Sequence, residues 1–132
     1  MKYMLDTNIC IYLMKHVPEV ITAFSLKKDA GMTISAVTLA ELEFGVSNSS
    51  AQDRNRIKLL NFLTLVDVLP FNVPAAVTYG VICAALRRNG TPIGQMDMLI
   101  AAHAKSEGLV VVTNNVDEFK RVQGLELENW LA

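Results

Sequence analysis

The chain has 132 residues, is 52% hydrophobic and carries a formal net charge of −1. These values suit one globular domain over residues 1–132, in which folding buries roughly two-thirds of the unfolded surface. No apolar stretch reaches the ~20 residues that a bilayer-spanning helix requires, and the N-terminus lacks a basic-then-apolar leader, so a cytoplasmic protein with no membrane partner is expected. The near-neutral charge gives no support for nucleic-acid binding, which usually comes with a clear basic excess.

Apolar runs with strand character alternate with amphipathic segments of helical length. That pattern predicts a three-layer α/β/α sandwich around a mainly parallel sheet. The first strand is expected over Lys2–Leu5, ending at Asp6-Thr7-Asn8, with a short helix over Ile9–Lys15. Pro18 opens the next helix at a position that tolerates its missing N–H, and that helix runs to about Asp29 before Gly31 ends it. Strand two is Met32–Ser35, followed by a helix over Thr38–Val46, a polar loop at residues 47–50 and a helix over about Ala51–Thr64. Strand three is Leu65–Leu69. A long helix spans Val73–Arg88 and stops at Asn89-Gly90, a pair suited to a left-handed cap. After the turn Thr91-Pro92-Ile93-Gly94 comes a helix over about Met96–Ser106 and strand four, Leu109–Val112. The tail holds a short helix and an edge strand around Leu125–Leu127. Cys10 and Cys83 sit inside apolar runs, as buried thiols do. The basic groups Arg54/Arg56/Lys58, Arg87-Arg88 and Lys120-Arg121 read as solvated helix faces.

In an open parallel sheet the ligand crevice lies beyond the carboxyl ends of the strands. Asp6 and Asn8 follow strand one, Glu41 lies one helical turn after strand two, and Asn114-Asn115 follow strand four. Asp97 joins them from the start of its helix. Each acid has an ordinary explanation as well. Asp6 is a good helix N-cap, and Thr38-x-x-Glu41 matches a capping box, with Val37 and Leu42 as its hydrophobic staple. Asp97 shares a helix face with Ile100, Ala101 and Ala104, so either a capping role or a cation partner is needed for a carboxylate that faces the core. The functional reading rests on convergence: acids gathered at one sheet edge raise each other's pKa unless a multivalent cation compensates. An oxygen-only set suits Mg²⁺ or Mn²⁺ better than zinc, and such a site suits phosphate chemistry. His103, six residues after Asp97, points to a different helix face and reads as structural, as does His16.

Four blocks carry a family resemblance: Met4-Leu5-Asp6-Thr7-Asn8; Ile34-Ser35-Ala36-Val37-Thr38-Leu39-Ala40-Glu41-Leu42 with Phe44-Gly45; Pro92-Ile93-Gly94-x-x-Asp97-x-x-Ile100-Ala101-Ala102-His103-Ala104; and Val112-Thr113-Asn114-Asn115-x-x-x-Phe119. In this order they resemble the PIN-domain toxins of the VapC type, over nearly the whole chain. The resemblance implies an endoribonuclease dependent on Mg²⁺, with Mn²⁺ able to substitute. It also implies inhibition by a cognate antitoxin, a homodimer, and structured RNA as substrate, transfer RNA being a common target of such toxins. Asp6, Glu41 and Asp97 match the family's metal-binding acids, and Thr7 and Asn8 match its polar residues beside the first acid. Asn115 stands where the wider pattern often has a fourth acid. There Asn115, with Thr113 in support, is expected to lend an oxygen without a charge. Asp117 is expected to point away from the site, with Glu118 to its side.

Two rival readings remain at this point. A dehalogenase-type phosphatase would use Asp6 as a phosphorylated nucleophile, but that family has a second Asp two residues on, where this chain has Asn8. A non-catalytic binding module would not need the intact set Asp6, Glu41 and Asp97.

Overall fold

A computed structural model describes residues 2–131. Five parallel strands, β1 (Tyr3–Leu5), β2 (Met32–Ser35), β3 (Asp67–Leu69), β4 (Val110–Val112) and β5 (Leu127–Glu128), form one sheet in the order β3-β2-β1-β4-β5. Tyr3 pairs with Met32 on one side and Val110 on the other. β1 and β4 are apolar throughout and β2 alternates Met32 and Ile34 with the buried Thr33 and Ser35, because the sheet is covered on both faces. Tyr3, Leu5, Val110 and Val112 face one core, packed under α1 (Thr7–Met14), α2 (Pro18–Lys27) and α4 (Gln52–Leu63). Met4 and Val111 face the other, under α5 (Val73–Arg88) and α6 (Gln95–Glu107), with Phe119 of α7 (Val116–Phe119) joining them. The remaining helix, α3 (Ala36–Ser47), follows β2 directly and carries Leu42 and Val46 into the first core. This is the α/β/α sandwich expected. Among the described residues, no single helix is long and apolar enough to cross a membrane.

The local differences have physical causes. The first helix starts at Thr7 rather than Ile9, because the Asp6 carboxylate accepts from the Thr7 N–H and caps it. The capping box expected at Thr38 and Glu41 does not form. Ser35 is the N-cap of α3, its hydroxyl accepting from the Val37 N–H at 3.1 Å, so Thr38 and Glu41 lie inside the helix and are free for other partners. β3 is shorter than expected, and its first two residues are exposed at the sheet edge. β5 forms two residues later than expected. Gly90 and Gly108 take φ values of 67° and 68° after α5 and α6, the left-handed conformation that glycine adopts without steric cost. Cys10 is buried and Cys83 half-buried, both free. Arg56 pairs with Glu43 and Lys120 with Asp117, as solvated helix faces do.

Candidate active site

β1 lies between β2 and β4, and the strand order reverses direction there, so the carboxyl ends of β1 and β4 flank the crevice where open α/β sheets bind ligands. Asp6 follows β1 directly and is 3% exposed. Both its oxygens are held: Oδ1 accepts from the Thr7 N–H at 2.7 Å, and Oδ2 accepts from the Thr113 hydroxyl at 2.8 Å. Thr113, buried at the end of β4, in turn accepts from the Asn115 N–H at 2.9 Å. Thr7 has a second role. Its hydroxyl donates to Glu41 Oε1 at 2.7 Å and lies 3.3 Å from the Thr38 hydroxyl. Through its backbone N–H and its hydroxyl, Thr7 thus ties Asp6 to Glu41, which lies 34 residues beyond Thr7.

Asp97 sits in the first turn of α6, half-buried above Ile100, Ala101 and Ala104, which are fully buried. The Asn115 side chain, at the head of α7, donates from Nδ2 to Glu118 Oε2 and, at 3.4 Å, to Asp97 Oδ2. The structure therefore brings Asp6, Glu41 and Asp97 to one crevice, and adds Glu118, which sequence reasoning had placed to the side. A signal was available: Asn115 and Glu118 are three residues apart, on one face of the first turn. Asn115 presents its side-chain nitrogen to the two carboxylates, as an amide beside two anions does. Asp117 points away, 90% exposed and paired with Lys120 at 3.2 Å. Asn8 is exposed on α1, and no side-chain hydrogen bond ties it to the acids among the described residues.

Crowded carboxylates shift one another. Burial pushes Asp97 up to about 7, with further upward contributions from Asp6, Glu118 and Glu41. Burial also raises Asp6, against the lowering effect of its bonds to Thr113 and Thr7. None of the ion pairs among the described residues involves Asp6, Glu41, Asp97 or Glu118. An oxygen-only donor set with uncompensated charge fits a hard divalent cation in chemical type. Among the described residues no three acidic, histidine or cysteine side chains close around a single point; Asp6, Glu41 and Asp97 are the residues that would hold such a cation.

The chain belongs to the PIN-domain family, whose model matches residues 3–125. It is 45% identical over 130 residues to the tRNA(fMet)-specific endonuclease VapC of Salmonella typhimurium, covering 98% of each chain. With ribonuclease VapC2 of Haemophilus influenzae it shares 44% identity over 133 residues and 99% of each chain. Its fold superposes with a TM-score of 0.94, at 41% identity, on a chain of the VapBC2 complex of Rickettsia felis bound to a promoter DNA fragment, over 98% of this chain and 99% of that one. Within the PIN-domain family it is a ribonuclease toxin of the VapC type.

Proposed function

We propose that this toxin, acting as one domain, hydrolyses RNA phosphodiesters with a divalent metal held by Asp6, Glu41 and Asp97, with Asn115 and Glu118 closing the cup. The observation that carries this is the arrival of carboxylates from three separate elements at the reversal point of the sheet, with no cationic side chain among the described residues paired to them and Asp97 raised to about 7. When bound, Mg²⁺ or Mn²⁺ supplies charge stabilisation at the phosphoryl oxygens and acidifies the attacking water. The chain's own residues prepare that step. Thr7 and Thr113 fix the two oxygens of Asp6, Thr7 also fixes Glu41, and Asp97, raised to about 7, would hold a cation in its deprotonated form. The Thr7 and Thr113 hydroxyls are spent as donors to Glu41 and Asp6, which leaves water as the attacking group. Water attacks phosphorus, the 3′ oxygen leaves, and the products carry a 5′-phosphate and a 3′-hydroxyl.

The substrate we infer is a structured RNA. The name of the Salmonella relative supports transfer RNA. A cognate antitoxin fits the groove of about 310 Å³ lined by Ile11, Met14, Leu42, Val46 and Leu59, with Glu41 also in its lining. An amphipathic segment seated there would reach the acids with an Arg, whose planar fork pairs carboxylates. A homodimer would cover Val73, Val77 and Val81, exposed along one stripe of α5. Incubation with total cellular RNA tests the catalytic reading: cleavage with Mg²⁺, none with chelator, and 5′-phosphate ends are expected. A 2′,3′-cyclic phosphate product would rule out the water mechanism.

A further inference from the structure

His103 is a fully buried titratable group that the chemistry above leaves unused. Its ring is 0% exposed, and Nδ1 lies 2.7 Å from the Ser35 hydroxyl, which is also 0% exposed. Ser35 Oγ already accepts from the Val37 N–H that opens α3. Its own hydrogen is therefore free to go to Nδ1, which leaves the ring proton on Nε2. Nε2 is buried and has no hydrogen-bond partner among the described residues. The Phe71 ring stands near-perpendicular to the imidazole, 5.3 Å away between centroids. Burial lowers the His103 pKa and keeps the ring neutral.

An orphaned polar atom costs stability that an aliphatic side chain of similar size would not lose. Packing alone would favour leucine here. What the imidazole adds is one directed bond between two elements of the site. Ser35 ends β2 and starts the helix that carries Glu41, whereas His103 belongs to the helix that carries Asp97. α6 packs on both α3 and β2.

We propose that the buried Ser35–His103 hydrogen bond is a positioning device for catalysis, setting the start of α3, and so Glu41, against α6 and Asp97. His103 acts through Ser35 and touches neither substrate nor cation. The inference rests on the reading of Asp6, Glu41 and Asp97 as the active site.

The test compares His103→Leu and His103→Asn in RNA cleavage with Mg²⁺, with Asp6→Asn as the inactive control and melting followed in parallel. Leu keeps the bulk and removes the bond; Asn presents a polar atom near the Nδ1 position. His103→Leu should melt at or above the wild-type temperature yet lose about tenfold or more in kcat with KM unchanged, because small misplacements of reacting groups cost this much. His103→Asn should regain most of the rate. Wild-type kcat in His103→Leu overturns the inference, as does equal loss in both variants. If His103→Leu unfolds, the ring is there for the fold and the inference falls. Full cleavage by Asp6→Asn would instead sink the active-site reading itself.

Discussion

Replacing Asp97 by Asn should stabilise the metal-free protein, and only at pH values where the wild-type carboxylate is ionised. Burial, with the charges of Asp6, Glu118 and Glu41, raises Asp97 from 3.8 to about 7. The folded state therefore holds a proton that the unfolded chain has already lost between pH 4 and 7, and stability falls as pH rises through that window. A shift of about three units corresponds to about 4 kcal/mol at 1.36 kcal/mol per unit. Asp97 is only half-buried, and solvent screening brings the usable figure to about 2 kcal/mol. For a chain of this size that is roughly 6–8 °C in melting temperature. Melting in chelator should show wild type and Asp97→Asn alike near pH 4, where the protonated acid and the amide are near-isosteric, and the variant ahead by this margin at pH 8. Adding Mg²⁺ at pH 8 should raise the wild type and leave the variant nearly unmoved. A gap of equal size at both pH values would refute the argument, since it would then owe nothing to ionisation.

Two further outcomes follow from the contacts of the acids. Glu118→Gln should cut cleavage about tenfold, whereas Asp117→Asn, on the solvent side of α7, should stay within about twofold of wild type in the same RNA assay. Thr7→Val removes the 2.7 Å hydrogen bond to Glu41; it should cost about 1 kcal/mol in denaturant titration and about 10- to 100-fold in cleavage.

The architecture was legible because alternation of strand-like and helical runs is a property of whole segments, and small errors at their ends leave the layers intact. The meeting of Asp6 and Glu41 was legible for a related reason: residues that follow parallel strands gather at one sheet edge, whereas Asp97, which follows no strand, was placed by the apolar face it shares with Ile100, Ala101 and Ala104. Side-chain partners were harder. Thr38 and Glu41 match a capping box in spacing, yet Ser35, hidden as the last residue of a buried strand, takes the cap and frees Glu41 for Thr7. The contact of Glu118 with Asn115 was not legible, because the apolar pattern of Val116, Phe119 and Val122 locates the buried face of a short helix but says nothing of which flank faces Asp97. The Ser35–His103 bond spans 68 residues, a separation at which no local pattern operates.

The central claim is that these carboxylates hold a catalytic divalent cation, and calorimetric titration of Mn²⁺ into the protein tests it most directly. The account predicts one firm site in wild type, at most a weak second, and loss of the firm site in Asp6→Asn with the fold intact. Absence of Mn²⁺ binding by wild type, or binding unchanged in Asp6→Asn, would contradict it.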